Sequence, residues 1–110
     1  MSKLFVQPGE AQWVELGSGT RRRVLVHLEQ LMQVEFGFDE GAVGALHKHP
    51  HVQASFVAEG RFEVTIGEER AVIEEGGSFI VPPDTMHGVK ALSAGRLIDS
   101  FTPHRADFLA

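Results

Sequence analysis

At 110 residues, with 43% hydrophobic and 23% charged residues, the chain has the size and composition of one ordinary globular unit, so a single domain over residues 1–110 is expected and disorder is excluded. Cysteine is absent, which removes disulfides and thiolate ligands and leaves imidazole and oxygen donors for any metal. The formal charge of -5 argues against nucleic acid as a partner, because that binding draws on a basic surface.

The first residues, MSKLFVQPGEAQ, lack an apolar run long enough for a signal core. No stretch approaches the ~20 apolar residues of a membrane span. A cytoplasmic protein with no membrane contact is therefore expected. Arg21, Arg22 and Arg23 form the one basic run and read as the solvated face of an edge strand.

Short β-rich segments follow one another, broken by glycine and proline, and none keeps a helical apolar period over three turns. The fold class is all-β. Met32, Val34, Phe36 and Phe38 alternate with Gln33 and Glu35, as in a strand with one buried face. In VQASFVAE, from Val52 to Glu59, Gln53, Ser55 and Val57 share one face and Val52, Ala54 and Phe56 the other. If the Gln53 face lines the interior, Phe56 lies outside and needs cover, which favours a homodimer.

Glu59-Gly60 and Gly67-Glu68-Glu69 read as hairpin turns that make antiparallel neighbours of the flanking strands. Later breaks leave strands near Ser78 to Val81, His87 to Ala91 and Arg96 to Phe101. This density of short strands predicts a barrel or two-sheet jelly roll.

Three of the six histidines fall in His47-Lys48-His49-Pro50-His51. On a strand, residues i and i+2 project to one face, so His47 and His49 suit two ligands of one metal. Gln53 keeps the same parity and can offer its carbonyl oxygen. His87 would supply a fourth donor from a later strand. His51 reads as a loop residue or a neighbour of the ligands, since Pro50 can break the alternation. His27 and His104 read as satisfied polar residues.

The segment from Gly41 to Gly60, G-x-x-x-x-x-H-x-H-x-x-x-Q-x-x-x-x-x-x-G, resembles the first motif of the cupins, with Gln53 where most cupins carry glutamate. Gly76 to His87, G-x-x-x-x-x-P-x-D-x-x-H, is similar to the second, with Asp84 in place of its usual glycine and Ala91 in place of its usual asparagine. The resemblance implies a small jelly-roll β-barrel holding one divalent metal ion on His47, His49, Gln53 and His87. That neutral donor set leaves the full charge on the ion, and zinc, nickel, iron, cobalt and manganese all suit it.

Over nearly its whole length the chain also resembles the KdgF family of pectin- and alginate-degradation proteins, through RRRVLVH at Arg21 to His27, GAVGALHKHPHVQ at Gly41 to Gln53 and DSFTPHRADF at Asp99 to Phe108. Proteins of that family open the ring of 4,5-unsaturated monouronates to the linear 5-keto-4-deoxyuronate. The resemblance places their acid/base and positioning residues on Asp99, Phe101 and Arg105 and implies a small anionic sugar as substrate. By the residues alone, Asp99 is as readily placed in water, with Ile98 and Ser100 inside, as in the interior. A cupin dioxygenase and a non-catalytic sugar-binding or sensor cupin are the alternative functions, because a fold does not fix a function.

Overall fold

The computed structural model describes residues 4–109, and the strands build two facing antiparallel sheets. In chain order they are β1 (Val14–Gly17), β2 (Thr20–Leu28), β3 (Leu31–Phe38), β4 (Val43–His47), β5 (Val52–Glu59), β6 (Phe62–Ile66), β7 (Glu69–Ile73), β8 (Ser78–Val81), β9 (His87–Ala91) and β10 (Gly95–Thr102), followed by a 3-10 turn over Ala106–Leu109. The larger sheet has the order β1-β2-β3-β10-β5-β8 and the smaller one β4-β9-β6-β7.

Alternation decides what faces inward. Met32, Val34 and Phe38 of β3 are buried, as are Leu97, Asp99 and Phe101 of β10 and Gln53, Ser55 and Val57 of β5. Registers Asp99↔Val34 and Asp99↔Ser55 place these residues on one rung. Inside the barrel, apolar side chains form two groups. One holds Phe38, Val57, Phe62, Val64, Ala91 and Leu97 with Ala42, the other Met32, Val34 and Phe101. The β5 parity read from sequence holds, for Gln53 is buried and Phe56 is 46% exposed.

Three expectations are corrected. The Gly60 turn does not close a hairpin: β5 pairs with β10 and β8, while β6 pairs with β7 and β9. Gly60 carries the chain from one sheet to the other at φ +88°, with a backbone carbonyl 2.7 Å from where a Cβ would sit, so only glycine serves there. The Gly67 turn does close a hairpin, with Ile66 opposite Glu69.

The arginine run is not an edge face, because β1 pairs outside β2. Arg22 lies opposite Phe36 on the inward parity, and Arg21 and Arg23 point outward. Glu35 is the third departure. Although it has the outward parity of β3, it is 2% exposed, held by Arg23 (Nη2 to Oε1, 2.6 Å) and by Arg96 (Nη1 to Oε2, 2.5 Å). The N-terminal segment around Val6, Pro8 and Ala11 lies over the same face.

Candidate metal centre

Both sheets contribute to the histidine cluster. His47 ends β4 and pairs across the smaller sheet with His87, which begins β9; their ring centroids are 4.3 Å apart. His49 does not share a strand with His47 as the i, i+2 reading supposes, because β4 stops at His47 and His49 lies in the connection to β5. It reaches the same place by a different route, with its ring 4.8 Å from that of His87. The His49 carbonyl accepts a 2.8 Å hydrogen bond from the Asp84 N–H, and Asp84 sits at φ +58°, a conformation glycine adopts freely.

One ring nitrogen from each of His47, His49 and His87 lies within 4.8 Å of the others. His47 and His87 each engage a backbone carbonyl through Nδ1, Ala45 O and Thr85 O, both at 2.8 Å. This turns each Nε2 lone pair toward the cluster, the pattern by which a ligand histidine is oriented. Nε2 of His87 and Nδ1 of His49 are buried without a hydrogen-bond partner among the described residues, an arrangement that costs free energy unless something occupies it. Burial pushes the pKa of His49 and of His87 down, toward the neutral imidazole that binds a metal.

Gln53 comes from the larger sheet. Its Oε1 lies 3.0 Å from His49 Nε2, while its Nε2 donates to Ser55 Oγ at 3.0 Å and to Asp99 Oδ2 at 3.2 Å. Those two acceptors fix the amide orientation and aim its oxygen at the histidines. Three imidazoles with free lone pairs and an adjacent amide oxygen fit a divalent ion of the nitrogen- and oxygen-preferring kind.

The cluster opens into a cavity of about 260 Å³ lined by His47, Gln53, His87, Asp99, Phe101 and Arg105, among others. This is just below the ~300 Å³ at which small-molecule pockets usually begin. Asp99 is 4% exposed, and its Oδ1 has no hydrogen-bond partner among the described residues. Burial pushes its carboxyl up to about 7, and the Ser55 hydroxyl offsets only part of that rise. Phe101 forms cavity wall, edge-on to the rings of His49 and Phe108. Arg105 lies over Phe101 and Phe108 at 5.3 and 4.2 Å, and its guanidinium makes a two-point contact with Asp107 at 3.1 and 2.9 Å.

Residues 34–105 match the family model of the cupin domain. The chain is also 41% identical over 111 aligned residues, 99% of its length and 100% of the relative, to the pectin degradation protein KdgF of Dickeya dadantii (strain 3937). The chain belongs to the KdgF family of cupins. Among solved structures, this cupin is similar to an RmlC-like cupin from Shewanella frigidimarina NCIMB 400, at a TM-score of 0.94 and 39% identity over 97% of this chain and 96% of that one. It is similar as well to KdgF from Halomonas sp., at a TM-score of 0.92 and 37% identity over 97% and 99% of the two chains.

Sequence reasoning missed three residues of the cavity region in this cupin. Ser55, which steers the Gln53 amide, was accessible through its parity with Gln53. Arg22 and Phe108 line the cavity. For Arg22 the signal was Val24, two residues on and opposite Val34 of the core. For Phe108 there was none, because a short 3-10 turn has no periodicity to read. His51, left open by sequence, ties the connection to the C-terminal segment by donating from Nε2 to the His104 carbonyl at 3.1 Å. His27 and His104 lie together, ring centroids 6.4 Å apart.

Proposed function

We propose that this cupin opens the ring of 4,5-unsaturated monouronates released from pectin or alginate, giving the linear 5-keto-4-deoxyuronate. The observation that carries the reading is Asp99, a buried carboxyl with one free oxygen, bonded to Gln53 beside three histidines whose cluster opens into a cavity. The near full-length similarity to a pectin degradation protein supports the choice of substrate.

The reaction is an isomerisation. The anomeric hydroxyl loses its proton, the bond from C1 to the ring oxygen breaks, and the electron pair released on that oxygen forms an enolate with the C4=C5 bond. A proton then adds at C4, leaving an aldehyde at C1 and a ketone at C5 with no change in mass. His47, His49, His87 and Gln53 would hold a divalent ion, and its positive charge would stabilise the negative charge that develops as the ring opens. Asp99 takes the hydroxyl proton on its free oxygen and returns a proton at C4, the task of a positioned acid/base. Phe101 gives the sugar ring an apolar wall, which Arg105 holds in place at the mouth by packing over Phe101 and Phe108.

The test uses metal-loaded protein and unsaturated galacturonate, following loss of the C4=C5 absorbance and the products by NMR with an oxygen electrode alongside. Accelerated loss without oxygen uptake is expected. Oxygen consumption would indicate a dioxygenase, and binding without turnover a sugar sensor.

A further inference from the structure

We infer that Arg22, which no motif marks, is the residue that receives the substrate's carboxylate, a role that rests on the uronate reading above. Arg22 has the inward parity of β2, opposite Phe36, and lines the cavity with Asp99, Arg105 and the histidines. Its guanidinium carbon lies 4.0 Å from the centroid of the Phe108 ring. Among the described residues, no hydrogen bond or ion pair to a carboxylate occupies it, whereas Arg21 is paired with Asp39 and Glu15 and Arg23 with Glu35.

Arg105 is differently placed. Its fork is already taken up by Asp107, with Nε and Nη2 each on one carboxylate oxygen. Asp107 is thus hydrogen-bonded to Arg105 and acts on Arg22 only through space, so the donors of Arg22 stay open to the cavity. Burial lowers the Arg22 pKa, the Asp107 carboxylate raises it and the Arg105 cation lowers it again, so the three groups act on one another, and Arg22 remains a cation at any ordinary pH. A planar, partly desolvated guanidinium whose donors meet no carboxylate among the described residues is a ready receptor for one. In a chain of net charge -5, such a local cation is what an anionic substrate needs.

The variants are Arg22→Gln and Arg22→Lys, assayed with the metal-loaded protein. With unsaturated galacturonate, Arg22→Gln should raise KM on the order of tenfold or more, as expected for one lost charge-assisted contact, with kcat within about threefold, and Arg22→Lys should recover part of the loss. A second measurement does not depend on turnover. Calorimetric binding of D-galacturonate and of its methyl ester should favour the acid in wild type, and Arg22→Gln should abolish that preference while leaving ester binding unchanged. An unaltered KM, or a preference for the acid that survives Arg22→Gln, overturns the assignment. If wild type shows no turnover, the uronate reading fails by itself; loss of the acid preference in Arg22→Gln then still upholds Arg22 as a carboxylate receptor, and its persistence or its absence from wild type overturns it.

Discussion

Replacing Asp99 by asparagine should separate activity from stability in opposite directions. The side chains are nearly isosteric, and the Asn carbonyl can still accept from the Gln53 amide, which in Asp99 meets Oδ2 at 3.2 Å. The metal donors should therefore stay in place. Asparagine cannot carry a proton from one site to another, so the rate should fall by roughly 10²- to 10⁴-fold, the usual contribution of a positioned acid/base. Stability moves the other way. A carboxyl held at about 7 rather than 3.8 keeps its proton in the folded state over a range where the unfolded chain has released it. Wild-type stability thus carries a contribution that is complete near pH 4 and is lost as pH rises to about 7, on the order of 4 kcal/mol in all at about 1.4 kcal/mol per pH unit. Asp99→Asn lacks this loss. In metal-free protein, urea unfolding at pH 4, 6 and 8 should show the variant gaining on wild type by up to that amount as pH rises. The depressed histidines His49 and His87 tilt both proteins alike and cancel in the comparison. An Asp99→Asn enzyme as fast as wild type, or a stability difference constant from pH 4 to pH 8, would refute the reasoning.

Changing His47 and His87 together to alanine should abolish stoichiometric metal by elemental analysis while circular dichroism still reports a β protein; metal retained in full would refute the site. Glu35→Gln should cost on the order of 2–4 kcal/mol by urea unfolding, below the full penalty for breaking a buried pair because Arg96 is 43% exposed. Burial pushes the Glu35 pKa up, but hydrogen bonds from Arg96 and Arg23 outweigh it and the net shift is downward. Its contribution is therefore complete above the ordinary value of 4.5 and lost as pH falls through the lowered one, so the variant and wild type should converge in acid. We also propose that two copies pair through the outer face of β5 and β8, where Phe56 is 46% and Ile80 63% exposed; light scattering at micromolar concentration should give twice 12.1 kDa, and a monomer would refute it.

What could be read from sequence was what repeats. Alternation along β3 and β5 assigned the inner face, and the spacing of His47, His49, Gln53 and His87 picked out residues that the fold brings together. What escaped was set by partners that the local pattern does not contain. Gly60 looks like any hairpin glycine, and only the pairing of β5 with β10 shows that the chain changes sheet there. Glu35 has a solvent-facing parity, yet two arginines, one of them 61 residues away, bury it. The arginine run looked uniformly solvated because charge suggests water; period 2 sends Arg22 inward regardless, to a cavity where a cation has work to do.

The position of the polar layer explains why its groups are perturbed together. Along β10, Leu97 belongs to one apolar group and Phe101 to the other, with Asp99 between them. Gln53 and Ser55 supply the neighbouring rung from β5. A charge in this layer has hydrocarbon on both sides along the barrel, so burial raises the Asp99 carboxyl and lowers His49 and His87 by one cause. The same low polarity strengthens any interaction made there with an ion or an incipient oxyanion. Atoms of His49, His87 and Asp99 in this layer make no hydrogen bond among the described residues, and ligation of the histidine nitrogens would stabilise the folded state. Metal affinity and fold stability are for that reason linked in this barrel, and a variant that fills the layer with apolar side chains should gain stability as it loses the site.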